Sequence, residues 1–190
     1  MATAAPVTTP TKVLTGKVRL SYVHLFEKFS NIEGAEPKYS AVIMVPKEDT
    51  KTYKALRRAQ KAALQEGAAK KFGGVIPKDG RWKDTIKDGD EDADLEKNPE
   101  YEGHYYLTVS NTTKPAIVDR DRDPILDASE VYSGCYARVS LNAFAFNAGG
   151  SKGVSFGLQA VQKLGDGEPF GGGGVDVDVE FGDDFEDDLL

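Results

Sequence analysis

Residues 134–147 read Gly-Cys-Tyr-Ala-Arg-Val-Ser-Leu-Asn-Ala-Phe-Ala-Phe-Asn, and they separate into two faces. Side chains of an extended chain alternate with a period of two, so Cys135, Ala137, Val139, Leu141, Ala143 and Ala145 share one side. Tyr136, Arg138, Ser140, Asn142, Phe144 and Phe146 share the other. The first set is small and apolar and suits a barrel interior. The second combines three rings with a cation and polar groups, which a face turned only to water would not need. Flat rings stack nucleobases and cations meet phosphates, and each stacked base is worth about 1–3 kcal/mol. The same rings could instead pack beneath a helix, under a long loop or at a dimer interface.

Working outward, residues 153–164 form a second strand, joined to the first by Ala148-Gly149-Gly150-Ser151-Lys152, which has hairpin-loop chemistry. His104–Asn111 is a third. Residues 13–23 alternate, with Val18, Leu20 and Tyr22 facing one way and Lys17, Arg19 and Ser21 the other. Residues 38–45 alternate less cleanly, with Tyr39, Ala41, Ile43 and Val45 as the inward set, and Pro46 ends the run. Residues 48–71 have helical spacing, with Asp49 or Thr50 as N-cap and Gly73-Gly74 as the stop. One helix face carries Tyr53, Leu56, Ala63 and Leu64. The other carries Lys51, Lys54, Arg58, Lys61 and Gln65, a basic stripe that reads most simply as a solvated face. Residues 72–102 show no period and predict a long, partly mobile excursion in which Trp82 has no assigned place. Residues 114–133 predict an irregular connection with a short strand at Ile117-Val118. Five strands and one helix predict a mainly β fold, an OB-like small barrel with one inserted helix. A ferredoxin-like sheet would require a second helix.

Charge divides the chain further. The 190 residues hold 24 Lys and Arg against 31 Asp and Glu, a formal charge of −7 that by itself argues against a polyanionic partner. Ten acids and no base fall within residues 166–190, and nine acids with two lysines within residues 84–102. The remaining body carries +10. We therefore expect a flexible arm over residues 1–11, one domain over residues 12–164, and a Gly-rich linker with a disordered acidic tail over residues 165–190. A flexible anionic tail tethered to a basic body should compete with nucleic acid for it. At the tail's end, Asp183, Asp184, Phe185, Glu186, Asp187, Asp188, Leu189 and Leu190 set apolar anchors among acids, a pattern suited to a partner protein. There is one cysteine, Cys135, and two histidines, His24 and His104, so neither an internal disulfide nor a Cys/His zinc site is expected, and no cofactor is implied. No apolar run reaches the roughly 18 residues of a membrane span and no signal-peptide pattern opens the chain, which predicts a soluble cytoplasmic protein.

Several short runs then carry a resemblance: Lys38-Tyr39-Ser40, Lys87-Asp88-Gly89-Asp90, Lys114-Pro115 with Val118-Asp119, and Tyr132-Ser133-Gly134-Cys135-Tyr136-Ala137-Arg138. Lys152-Gly153-Val154 with Gly157-Leu158, and Gln162-Lys163 leading to Asp166-Gly167-Glu168-Pro169, complete it. In this order, from about Lys12 to Gly171, the chain resembles tailed-phage single-stranded DNA-binding proteins. The resemblance implies an OB-like fold, binding of single-stranded DNA without sequence preference, and a tail that contacts replication proteins such as a polymerase or helicase in the infected cell. Many tails of this kind end in Phe, whereas this one ends Asp188-Leu189-Leu190. The candidate stacking groups are Tyr136, Phe144 and Phe146, the candidate phosphate contacts are Lys17, Arg19, Lys38 and Arg138, and Tyr106 is a further candidate nucleic-acid-binding residue. Two other readings stand beside this one. Asp119, Asp121 and Asp123 could hold a metal for a nuclease, although Pro124 stands where a calcium loop needs its tight-turn glycine. The acidic segments could also belong to an interaction module with no nucleic-acid role. Oligomeric state is left open.

Overall fold

The computed structural model describes residues 9–170. In chain order its strands are β1 (Lys12–Leu14), β2 (Val18–Phe29), β3 (Lys38–Pro46), β4 (Lys83–Asp84), β5 (Lys87–Asp88), β6 (His104–Asn111), β7 (Ala116–Val118), β8 (Tyr136–Ala148) and β9 (Ser151–Gly165). Helix α1 (Thr50–Lys71) follows β3, and a single turn, α2 (Gly89–Asp92), follows β5. Residues 1–8 of the arm expected over residues 1–11, and residues 171–190 of the linker and tail expected over residues 165–190, including Asp183–Leu190, lie outside the described residues.

Five strands form a closed circuit of pairings. β2 pairs antiparallel with β3, β3 with β6, and β8 with both β2 and β9. One parallel bridge, Ser110↔Gly157, links β6 to β9 and completes the round. The far edge of β9 is met in turn by β4 at Gly153 and Val154, by β6 at Gly157, and by β7 at Ala160, Val161 and Gln162. That cover leaves little unpaired backbone on the longest strand, which would otherwise invite association through its edge. The β8–β9 turn has Gly149 and Gly150 at φ 58° and 87°, the positive pair that a two-residue type I′ hairpin demands. This is the mainly β, OB-like architecture expected from the sequence.

The core follows the alternation. Ala137, Val139 and Leu141 of β8 are wholly buried, as are Val18 and Leu20 of β2, Ile43 and Val45 of β3, and Leu158 of β9. Leu56, Ala59, Ala63 and Leu64 of α1 complete the same cluster. Asp49 caps the helix by accepting from the Thr52 amide at 3.1 Å and the Thr52 hydroxyl at 2.6 Å. Thr52 Oγ1 in turn accepts from the Gly16 amide at 2.9 Å, which ties the helix start to the break between β1 and β2. Near the other end, Gly67 lies so close to β8 that a Cβ there would overlap the Ala145 methyl.

Three local readings are corrected. Residues 13–23 are not one strand. Thr15, Gly16 and Lys17 interrupt the run, so Lys17 sits in a bend rather than on an alternating face. Tyr22 does not share the inward face with Leu20. Its φ is 45°, the register shifts between Ser21 and His24, and Tyr22 is 56% exposed. The excursion is also built differently from expectation. The Asp84 carboxylate accepts from the Ile86 amide, Asp88 from Asp90 and Asp94 from Glu96, which closes local turns, and Asp90 accepts from the Gly103 amide thirteen residues on. Ile86 and Tyr101 anchor it as buried side chains, and burial raises the Tyr101 phenol to about 12 against a smaller opposing effect of a Ser21 hydrogen bond. Lys47 bridges Asp88 and Asp90 at 2.7 and 2.6 Å, and its hydrogen bonds hold both carboxyls below the usual range.

Gly67 supplies a test of this packing. In an open helix, Gly→Ala gains about 1 kcal/mol from propensity. Here the added methyl meets Ala145, and overpacking costs about 1–3 kcal/mol. Gly67→Ala should therefore lower stability in urea unfolding, and Ala145→Gly on that background should recover most of the loss. Stabilisation by Gly67→Ala alone would contradict the close helix–strand contact.

Candidate nucleic-acid interface

Because β8, β9, β6 and β3 send alternate side chains outward, the residues not in the core meet on one outer face. Three depressions there share residues and form one trough. The largest, about 730 Å³, is lined by Tyr22, His24, Phe29, Lys38, Ser40 and Thr108 among others. The second shares Thr108 and Ser110 with it and adds Lys83, Lys87, Tyr106 and Ser155. The third shares Lys38 and Ser110 and adds Asn142, Phe144 and Gly157. The lining residues include three lysines and a single carboxylate, Glu36. Phe144 is 46% exposed and lies opposite Ser155, so its ring is free to receive a flat partner. Tyr106 has one face against Tyr101, with ring centroids 4.8 Å apart, and burial raises its phenol pKa.

The residues singled out in the sequence divide between two places. Lys38, Tyr106 and Phe144 line the trough. Phe146 is on the same side of β8, opposite Gly153, and its ring covers that glycine so tightly that a Cβ would meet it at 2.6 Å. Lys17, Arg19 and Tyr136 form a different cluster, with the Lys17 ammonium 5.1 Å and the Arg19 guanidinium 5.0 Å from the Tyr136 ring centre. Arg138 is exposed on β8, its Nε donating to the Thr15 carbonyl at 3.3 Å.

That second cluster holds the beginning of the C-terminal segment. Arg19 Nε and Nη2 donate to the Gly134 carbonyl at 3.1 and 3.0 Å, and Nη2 also donates to the Glu168 carbonyl at 2.9 Å. The guanidinium lies 4.2 Å from the Phe170 ring centre, and the Phe170 amide donates to Ser133. Tyr132 donates to Asp166 at 3.1 Å and Lys163 pairs with the same carboxylate at 2.7 Å. The lysine first and the tyrosine second hold the Asp166 carboxyl below its ordinary range. Arg19 and Tyr136 thus already have partners within the chain.

Sequence reasoning missed Tyr22, His24, Phe29, Lys83 and Lys87 as members of the trough. Tyr22 was placed on the inward face with Leu20, and His24 and Phe29 were hidden by ending the strand at Val23, six residues before β2 ends at Phe29. The two lysines lie in or beside the acidic stretch, where counting net charge conceals them. The Asp119 loop is self-contained: one carboxylate oxygen of Asp119 accepts from the amides of Asp121 and Asp123. Among the described residues no three His, Cys, Asp or Glu side chains are grouped to hold a metal ion. No helix among them is long and apolar enough to cross a membrane.

A closed β circuit carrying an open outer face of rings, hydroxyls and lysines defines an OB-like protein, the class in which sheet face and adjoining loops hold oligonucleotides. Within that class the chain belongs to the family of the Enterobacter phage Enc34 ssDNA-binding protein, whose model matches residues 11–190. Protein p50 of Acyrthosiphon pisum secondary endosymbiont phage 1 is 30% identical over 178 residues, covering 90% of this chain and 93% of that one. The bacteriophage Enc34 single-stranded DNA-binding protein, solved in complex with ssDNA, is 27% identical with a TM-score of 0.68, covering 85% of this chain and 90% of its own. Bacteriophage T7 gp2.5, a single-stranded DNA-binding protein, shares the fold at a TM-score of 0.55 and 12% identity, over 86% of this chain and 97% of its own. The nuclease reading is set aside, since the family is one of non-enzymatic binding proteins.

Replacing Arg19 with alanine should free the Gly165–Phe170 segment. Hydrogen exchange at the Gly167 and Phe170 amides is expected to accelerate, with the β8–β9 amides unchanged. Unaltered protection at Phe170 would show that Arg19 is not the anchor.

Proposed function

We propose that this protein coats single-stranded DNA without sequence preference, with the strand lying in the trough on the outer face of β3, β6, β8 and β9. The observation that carries the reading is the convergence of Lys38, Tyr106 and Phe144 on that one face, with Lys83 and Lys87 alongside. Phe144 and Phe146 offer stacking surfaces that any base satisfies, and the lysines meet phosphates. Lys17 and Arg138 provide further cations on the flank. The setting is phage replication, recombination or repair in the cytoplasm of the infected cell.

The acidic tail completes the proposal. Its ten carboxylates compete with DNA for the basic body, and its Phe- and Leu-containing end engages replication proteins such as a polymerase or helicase once DNA has displaced it. The fixed start at Asp166–Phe170 gives that tail a defined point of departure.

Oligo-dT binding measured across a salt series tests both parts. Removing one phosphate contact lowers the slope of log affinity against log salt by about 0.7 for a single strand. Lys38→Ala should show that loss, whereas Phe144→Ala should weaken binding roughly tenfold at unchanged slope. A chain ending at Phe170, which keeps the Arg19 contacts, should bind more tightly than the full chain. If Lys38→Ala and Phe144→Ala both bind as the parent does, the strand lies elsewhere.

A further inference from the structure

We infer that the β2 end of the trough is a base-stacking subsite built from Phe29 on His24, with Tyr22 beside it and Lys38 to meet the adjoining phosphate. The inference rests on the single-strand reading and names where one base of that strand sits. Its first support is backbone geometry. Tyr22 occupies the left-handed region at φ 45°, where a bulky side chain is strained. The bulge reverses the parity of β2. Leu20 and Leu25, five residues apart, both enter the core, and His24, which regular alternation would place with Leu20, faces the trough. Backbone strain is thus coupled to presentation of an aromatic group on the outer face.

The second support is the arrangement of the rings. His24 and Phe29 are stacked with centroids 4.0 Å apart and planes within 9° of parallel. Phe29 remains 47% exposed and Tyr22 56% exposed, and both border the same depression. A preformed aromatic pair with one open side is the surface onto which a further flat ring extends the stack. Lys38 is the direct cross-strand partner of Phe29, so a cation accompanies the ring. An apolar peptide would use the rings but not the lysine; a nucleotide uses both.

Tryptophan fluorescence of the full chain tests the subsite. Trp82 is the only tryptophan and lines a separate groove against α1 with Tyr53 and Leu64, so the parent chain gives the baseline against which quenching of Phe29→Trp is read. Phe29→Trp should keep the parent melting temperature and be strongly quenched at saturation, and Phe29→Ala should bind roughly tenfold more weakly. Retained oligo-dT binding with no quenching in Phe29→Trp and parental affinity in Phe29→Ala would overturn the subsite while leaving the single-strand reading intact. No oligo-dT binding by the parent chain would overturn both. Quenching of Phe29→Trp by an apolar peptide but not by oligo-dT would assign the surface to a protein partner and also overturn it.

Discussion

The strict two-residue alternation of β8, held between β2 and β9, is the constraint on which the rest of the molecule depends. Val139 and Leu141 have no exposure at all, and Ala143, at 2%, has almost none. Burying side chains of Val or Leu size is worth about 1.5–3 kcal/mol each, so a one-residue slip that exposed this set would be far more costly than any surface contact could offset. With the inner set fixed, Phe144 and Phe146 have no choice but the outer face. The small inner residues have their own consequence: Ala145 leaves room for α1 at Gly67, and the helix completes the core without covering the trough. The outer face is open because the inner face is tightly closed.

Electrostatics is arranged by segment rather than by sum. The acids of residues 84–102 mostly accept from nearby backbone amides or pair with Lys47 and Arg57, so much of that negative charge is engaged in holding the excursion against the sheet. Exposed ion pairs of this kind contribute little stability; the buried Ile86 and Tyr101 do more. Lys83 and Lys87 meanwhile emerge from the same stretch on the trough side. At the other cluster, the cations Lys17 and Arg19 face Tyr136, and Arg19 also faces Phe170 and two carbonyls. Cation beside aromatic is therefore one motif with two uses in this fold: one cluster fastens the root of the acidic segment, and the other lies open to a ligand.

Much of this was legible in the sequence where periodicity is clean. β8, β9 and α1 follow from alternation, turn glycines and helical spacing, and the inward residues of β8 are those the pattern names; β3 alternates less cleanly, because Met44 is buried together with Ile43 and Val45. β2 was legible only as far as Leu20, because the bulge at Tyr22 changes which parity is buried and no propensity marks it. The excursion carries no period because its order comes from Asp side chains capping turns. Among the candidate site residues, Lys38, Tyr106 and Phe144 converge, whereas Arg19 and Tyr136 belong with Phe170. In one dimension these two groups look alike, each a cation or ring on the outward side of a strand. Only strand pairing reveals that Tyr136 lies opposite Arg19 and Gly165, while Phe144 lies opposite Ser155 in the trough.

The central claim is that the strand runs through the trough. Photocrosslinking the full chain to a single-stranded oligonucleotide carrying iododeoxyuridine, followed by peptide mapping, tests it most directly. The account predicts crosslinks at aromatic residues of the trough, Phe29, Tyr106 and Phe144, and none at Phe170 or on the exposed face of α1. Crosslinks concentrated at Tyr136 and Phe170, with the trough unmarked, would contradict it.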